Sequence, residues 1–198
     1  MPKHSHAQCS DRRRRRSKMI RPFQQGSLDG LCGVYCIVNA IRALCPELRN
    51  DVFECLFDHL MRALPKAGVD VSVTITGGIG QRVFTALLKE ALAEMAAEYD
   101  ITLASRRLPK KIRRSIKLGE LFRKLEGTLS PTCVALLGMD GTHNHWTVAV
   151  TATLQSIKLF DSSKMSLLRR SDCKVGLAVN RTGISMSHVF LVERSAGK

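Results

Sequence analysis

The chain has 198 residues, 44% hydrophobic and 24% charged, with a formal net charge of +14. This composition excludes wholesale disorder, and the length fits one domain of the usual ~100–200 residues with room for a tail. No apolar run approaches the ~18 residues of a membrane span.

The positive charge is concentrated. Residues 1–21 hold eight basic groups against Asp11, and RRLPKKIRRSIK, 106–117, holds seven with no acidic residue, which leaves 16 of each sign elsewhere. Segment 1–21 reads as a disordered, arginine-rich arm without the apolar stretch of a secretory signal, and 22–198 reads as a single domain. Either basic segment could engage nucleic acid, acidic lipid or an acidic protein. No aromatic residue is interleaved with the arginines, so nucleic acid is not favoured. An acidic partner at 106–117 stands beside the plainer reading of a solvated loop. Seven cysteines at irregular spacing point to a reducing compartment: the cytoplasm, or a cytosol into which the protein is delivered.

After the arm comes a turn-rich stretch, QQGSLDGLCG. Val34, Ile37, Val38, Ile41 and Leu44 then predict a helix from Cys32 to Leu44, ended by Pro46. A second helix fits Asn50 to Leu64, capped by Asn50 and stopped by Pro65. VDVSVTIT, 69–76, alternates like a short strand, and Gly77, Gly78 and Gly80 open a long amphipathic helix to about Glu98. TGGIGQ, 76–81, lacks the lysine and full spacing of a phosphate loop and reads as a turn leading into that helix. A strand at 101–105 and a short helix at 117–126 follow. Beyond them, 132–137, 146–153, 157–160, 175–179 and 189–192 are short, β-branched and bounded by turn residues. Helices followed by strands predict an α+β fold, with an antiparallel sheet packed against the N-terminal helix. Cys45, Cys55, Cys133 and Cys173 lie in or beside apolar runs and default to the core, and His59 and His188 need no role.

Cys32 follows a glycine-rich turn and starts an apolar helix, where unpaired N–H groups and the helix dipole favour an anion. A free thiol of pKa ~8.5 is only about 3% ionised at pH 7. A helix N-terminus or a nearby imidazolium lowers such a value to ~3.5–7.5, and the same N–H groups can receive an oxyanion beside the sulfur. HNHWTVAV, 143–150, opens a strand, and IKLFDSS, 157–163, forms the next. A hairpin centred near Leu154 places His145 opposite Ser163 and diagonal to Asp161, so that the carboxylate can orient the imidazole. A slip of one residue would turn Asp161 to the other face. His143 shares the strand but lies nearer the preceding turn. A competing assembly is a Cys2His2 zinc site from Cys32, Cys36, His143 and His145, which leaves Asp161 unused.

The order Cys32, His145-Trp146, Asp161-Ser162 resembles the papain-like cysteine peptidases. Its nearest flavours are the bacterial C39-like peptidases, with a Cys-Gly pair entering an apolar helix, and the ubiquitin-like-protein deconjugases, which share the HW…DS wording in a different order. The resemblance spans roughly 24–163. It implies a papain-like fold with Cys32 as nucleophile, His145 as general acid and base, and Asp161 as the orienting carboxylate. It also implies a glutamine upstream of the cysteine that donates to the oxyanion: Gln25, or else Gln24. If neither reaches, the Cys32 backbone N–H carries that load with another partner. The activity implied is cofactor-free cleavage of a peptide or isopeptide bond in a protein or peptide substrate, with a double-glycine leader, a ubiquitin-like tail and a host protein all open as that substrate. Acyl transfer of acetyltransferase or transglutaminase type, and a non-catalytic zinc-stabilised or nucleic-acid-binding module, are the alternatives.

Overall fold

The computed structural model describes residues 20–27, 29–108, 117–141, 143–176 and 180–195. The arm before residue 20, most of the basic segment 106–117 and the end of the segment expected as a strand at 175–179 lie outside these described residues.

The first helix, α1, runs Cys32–Leu44, as its apolar spacing predicts. The second, α2 (Asn50–Ala63), begins with Asn50 already inside the helix and Arg49 as the residue before it, without a side-chain cap. Asn50 is not the cap because its Oδ1 is taken by Arg42 Nη1 at 2.8 Å. A 3-10 turn at Pro65–Ala67 follows.

The segment expected as a strand is a helix instead, α3 (Val71–Gly77). Asp70 decides this: its carboxylate accepts from Ser72 N at 2.7 Å, and its carbonyl accepts from Thr74 N at 3.1 Å. A side-chain acceptor at an N-cap satisfies a donor that the helix start would otherwise orphan, and here it outweighs the β-branched run. Val73 and Ile75 are left exposed, so the alternation marks no buried face. The long helix α4 (Gln81–Tyr99) follows after Gly80. Then come β1 (Leu103–Arg107) and α5 (Leu118–Glu126).

The remaining strands are β2 (Cys133–Gly141), β3 (His145–Ala152), β4 (Ser156–Leu159), β5 (Leu167–Arg169), β6 (Cys173–Val175) and β7 (Thr182–Arg194). They form one sheet with β1 in the order β1-β7-β2-β3-β4-β5, antiparallel throughout except for β6, which runs parallel beside β7. The chain is therefore α+β, with its helices on an antiparallel sheet.

Period-two alternation divides the core. Val134, Leu136, Trp146, Val148, Phe190 and Val192 pack with α1, α2 and α4. Ala135, Leu137, Ala149, Ile157, Val189 and Leu191 pack with α5 on a second cluster. Cys45, Cys133 and Cys173 are buried as expected, but Cys55 is exposed because it lies on the outer face of α2. His59 bridges α2 to α4 through Glu90 at 3.1 Å and Glu94 at 3.4 Å. Among the described residues no single helix is long and apolar enough to cross a membrane.

The turn before α1 is locked to the turn before α4. Gly30 N donates to Ile75 O at 2.5 Å, and a Cβ on Gly30 would stand 2.9 Å from Gly78 N and 3.1 Å from Ile75 O. These are backbone atoms that cannot swing aside. Gly30→Ala is thus expected to destabilise the fold by about 1–3 kcal/mol, the usual cost of overpacking. A urea titration should show a lower midpoint at an unchanged slope.

Candidate active site

Cys32 is the first residue of α1 and lies at the floor of a cleft of about 300 Å³. The first i→i−4 bond here runs from Tyr35 N to Leu31 O, so the N–H groups of Cys32, Gly33 and Val34 fall outside the helical ladder and form its positive end. Asp29 shapes the approach, its two carboxylate oxygens accepting from Gly26 N and Leu31 N. Gly33 has no room for a side chain, since a Cβ would stand 2.5 Å from Ile79 Cγ1. Bareness at this position lets the α3–α4 turn close against α1.

His145 opens β3 and lines the same cleft. Asn144 before it holds a positive φ of 33°, which asparagine tolerates better than most residues. Across the next strand, Ala149 pairs with Leu159 and Phe160 N donates to Val148 O at 2.9 Å. The ladder ends there: the strand expected to run on to Ser163 stops at Leu159, and residues 162–164 turn instead, so Asp161 reaches His145 from the start of a turn rather than from a paired strand position. A register shift between Ala149 and Thr151 accommodates the hairpin turn. His145 Nε2 bonds Asp161 Oδ1 at 2.7 Å, with both residues buried. Asp161 Oδ2 accepts from Ser163 N at 2.7 Å and Met165 N at 3.2 Å. Both carboxylate oxygens are therefore occupied. The buried Thr147 hydroxyl makes no well-formed hydrogen bond of its own, yet it sits close enough to Asp161 to favour the ionised carboxylate.

The electrostatics follow from this geometry. Burial opposes a charged imidazole, but the hydrogen bond to Asp161, with its negative charge and the nearby Cys32 sulfur, prevails and raises the His145 pKa to about 9. Burial likewise opposes a charged Asp161, and the bonds from His145 and Ser163, with the Thr147 hydroxyl close by, still bring its pKa below the ordinary value. Nε2 is committed to Asp161, so Nδ1 is the nitrogen left for the thiol. Cys36, one turn along α1, is fully buried, and its thiol is pushed well up by burial, by Cys32 and by Asp161.

The glutamines stand behind the His145–Asp161 pair. Gln24 Nε2 donates to Asp161 O at 3.0 Å, Gln25 N donates to Ser162 O at 3.1 Å, and Ser162 Oγ donates to Gln25 Oε1 at 3.1 Å. Gln25 Nε2 is turned to Asp29 O at 3.3 Å, and neither glutamine lines the cleft. The strand of chain that carries them is anchored on α1: buried Asn39 accepts from Phe23 N at 2.7 Å and donates to Phe23 O at 3.0 Å. Arg42 adds a bond to Arg21 O at 2.8 Å and lays its guanidinium over the Phe23 ring. Residues 21–25 thus tie α1 to the turn that carries Asp161. Nothing in a mid-helix asparagine or a lone arginine signals this in the sequence.

The cleft walls come from two places. One wall is Gly77, Gly78, Ile79, Gly80 and Gln81; the other includes Gly138, Asp140, Asn144 and His188. Trp146 joins them, donating from Nε1 to Ile79 O at 3.1 Å while its ring stacks on Phe84 at 3.7 Å. His188, given no role by the sequence, faces the cleft, whereas His143 is exposed and does not line it. Among the described residues no three His, Cys, Asp or Glu side chains are grouped as metal ligands. The Cys32, Cys36, His143, His145 set is not assembled. Compared with known proteins, the sequence has no match to a family model and no significant match to a curated protein.

Protonated His145 contributes stability in full below its unfolded pKa of ~6.5, and this contribution fades as pH climbs through about 9. Asp161 works the other way: its contribution stands above the unfolded ~3.9 and is lost as pH falls through its lowered folded value. Asp161→Asn should therefore let the His145 ring lose its proton at a clearly lower pH than the native value of about 9. NMR titration of the imidazole reads this directly.

Proposed function

We propose that the protein is a cysteine peptidase of papain-like arrangement, cleaving a peptide or isopeptide bond through Cys32, His145 and Asp161. The observation that carries this reading is the buried His145–Asp161 pair, 2.7 Å long, opening onto the cleft floored by a helix-starting cysteine. A structural ion pair has no need to face a thiol at a helix N-terminus, whereas a nucleophile needs both a base and an orienting group.

In this mechanism the Cys32 thiolate attacks the scissile carbonyl carbon, and its oxygen takes up the charge as the C=O π bond opens. The N–H of Cys32 at the start of α1 receives that oxyanion. Gln25 would have to leave Asp29 and Ser162 to help, so the backbone is the primary donor. His145, held protonated by Asp161, gives its Nδ1 proton to the leaving amine as the C–N bond breaks. Water then attacks the thioester with His145 as base, releasing the acid and regenerating the thiol. No cofactor takes part.

The walls favour an extended peptide with small residues beside the scissile bond. A Cβ at Gly77 or Gly80 would meet nothing within 4 Å, so packing does not demand glycine there. Their bareness instead leaves backbone open for a substrate main chain to lie against. The six described cysteines are all free, which suits a reducing, cytoplasmic setting.

Iodoacetamide alkylation followed peptide by peptide tests the reading. At pH 6.5 Cys32 is expected to react at least about tenfold faster than exposed Cys55, as a nucleophile at a helix N-terminus beside an imidazole should. His145→Ala should remove most of that advantage, and Cys32→Ala should abolish cleavage of any substrate found. The mass of the product separates hydrolysis, which adds water, from transfer to an amine. Equal labelling of Cys32 and Cys55 across pH 4–9 would sink the proposal.

A further inference from the structure

The pairing of β2 with β7 is interrupted opposite Gly138. Leu137 pairs with Val189 and Met139 with Ile184, so that one residue of β2 faces four of β7, 185–188. This is a large bulge next to the cleft, the kind of device that re-aims a side chain out of a regular ladder. It is held at three points. Gln81 Nε2 donates to Ser187 O at 3.0 Å, the Ser185 and Ser187 hydroxyls bond each other at 3.1 Å, and His188 rests on Gly138 so closely that a Cβ there would stand 2.5 Å from His188 Cβ. The outcome is a half-buried imidazole in the cleft wall, 5.3 Å from the Trp146 ring, with Asp140 and Asn144 beside it.

A bulge, a glycine and a clamp from α4 are more than core packing requires, since an apolar residue in an unbroken strand would fill the space. The opposite wall, at Gly77 and Gly80, is bare backbone. The two walls therefore offer different things: one admits a main chain, the other presents hydrogen-bonding groups. We infer that His188 is a specificity-determining residue, hydrogen-bonding an uncharged polar side chain, hydroxyl or carboxamide, of the peptide held against the glycine wall. This rests on the thiol-peptidase reading of the same cleft and names the substrate class for it. Burial lowers the His188 pKa, with Asp140 raising it and Arg107 lowering it again, so at neutral pH the ring is uncharged and can both donate and accept. Asp140 adds an acceptor and disfavours acidic side chains.

The test uses the full chain and two series of peptidyl vinyl sulfones, Ac-Gly-Xaa-Gly and Ac-Gly-Gly-Xaa, with Xaa as Asn, Ser, Leu or Glu. The Cys32 thiolate adds to the β-carbon, forming a C–S bond, and the imidazolium protonates the α-carbon, with no leaving group. In one series, Asn and Ser probes are expected to label Cys32 about tenfold faster than Leu, the worth of one hydrogen bond, with Glu slowest. His188→Phe keeps a ring on Trp146 but cannot hydrogen-bond, and should bring the Asn/Leu ratio to about one, whereas His188→Gln should retain part of it. Iodoacetamide labelling and thermal melting of each variant report whether the thiolate and the fold persist. Discrimination that survives in a folded His188→Phe, or that is missing from both series in the native chain, overturns the inference. Failure of Cys32 to outpace Cys55 with iodoacetamide instead overturns the peptidase reading beneath it.

Discussion

A carboxylate with about 2% exposure has to be answered on every side, and Asp161 is answered by three donors from two directions. Removing one partner from such a pair typically costs about 3–5 kcal/mol, because the remaining charge is left without solvent. Much of the local architecture follows from that demand. The register of β3 on β4 brings His145 to one oxygen, and a tight turn over 161–165, with Lys164 at a φ of 66°, folds two backbone N–H groups onto the other. Thr147 brings a buried hydroxyl close to the remaining side without forming a hydrogen bond.

Holding the carboxylate is one requirement; holding it at the right distance from a separate helix is another. Cys32 belongs to the helical half of the core and Asp161 to a turn beyond the sheet, more than a hundred residues later. Residues 21–25 span the gap with backbone bonds at both ends, Asn39 acting on one side and Ser162 on the other. Asn39 is fully buried in the apolar face of α1, where an amide is tolerated only if its bonds are made. It imitates a strand partner for Phe23.

Legibility in the sequence tracks how local each cause is. The limits of α1 could be read to the residue because apolar spacing and Pro46 agree. The hairpin register could be read because β3 and β4 are adjacent in the chain. The helix at Val71–Gly77 was hidden by a conflict between β-branched residues and a single capping aspartate, and the cap prevailed. The full span of β7 was hidden by its bulge, whose Ser-Met-Ser-His sequence breaks the alternation expected of a strand. Gln81 and Ser187 meet across more than a hundred residues, so no window of sequence contains the reason for the clamp on the bulge that places His188. The two glutamines were visible as candidates, but their direction depends on the position of Ser162, which only the folded chain supplies.

The hydrogen bonds from Trp146 to Ile79 and from Gln81 to Ser187 cross the root of the cleft from opposite sides. Jaws pinned at the root in this way have a set gap rather than a hinge. Under the proposed peptidase reading a peptide must arrive already extended and thin enough to slide in, so most of the ordering entropy on association falls on the peptide and little on the protein. Flexible tails and unfolded termini can meet that condition by sampling extended shapes, whereas a loop locked in a folded domain would first have to come loose.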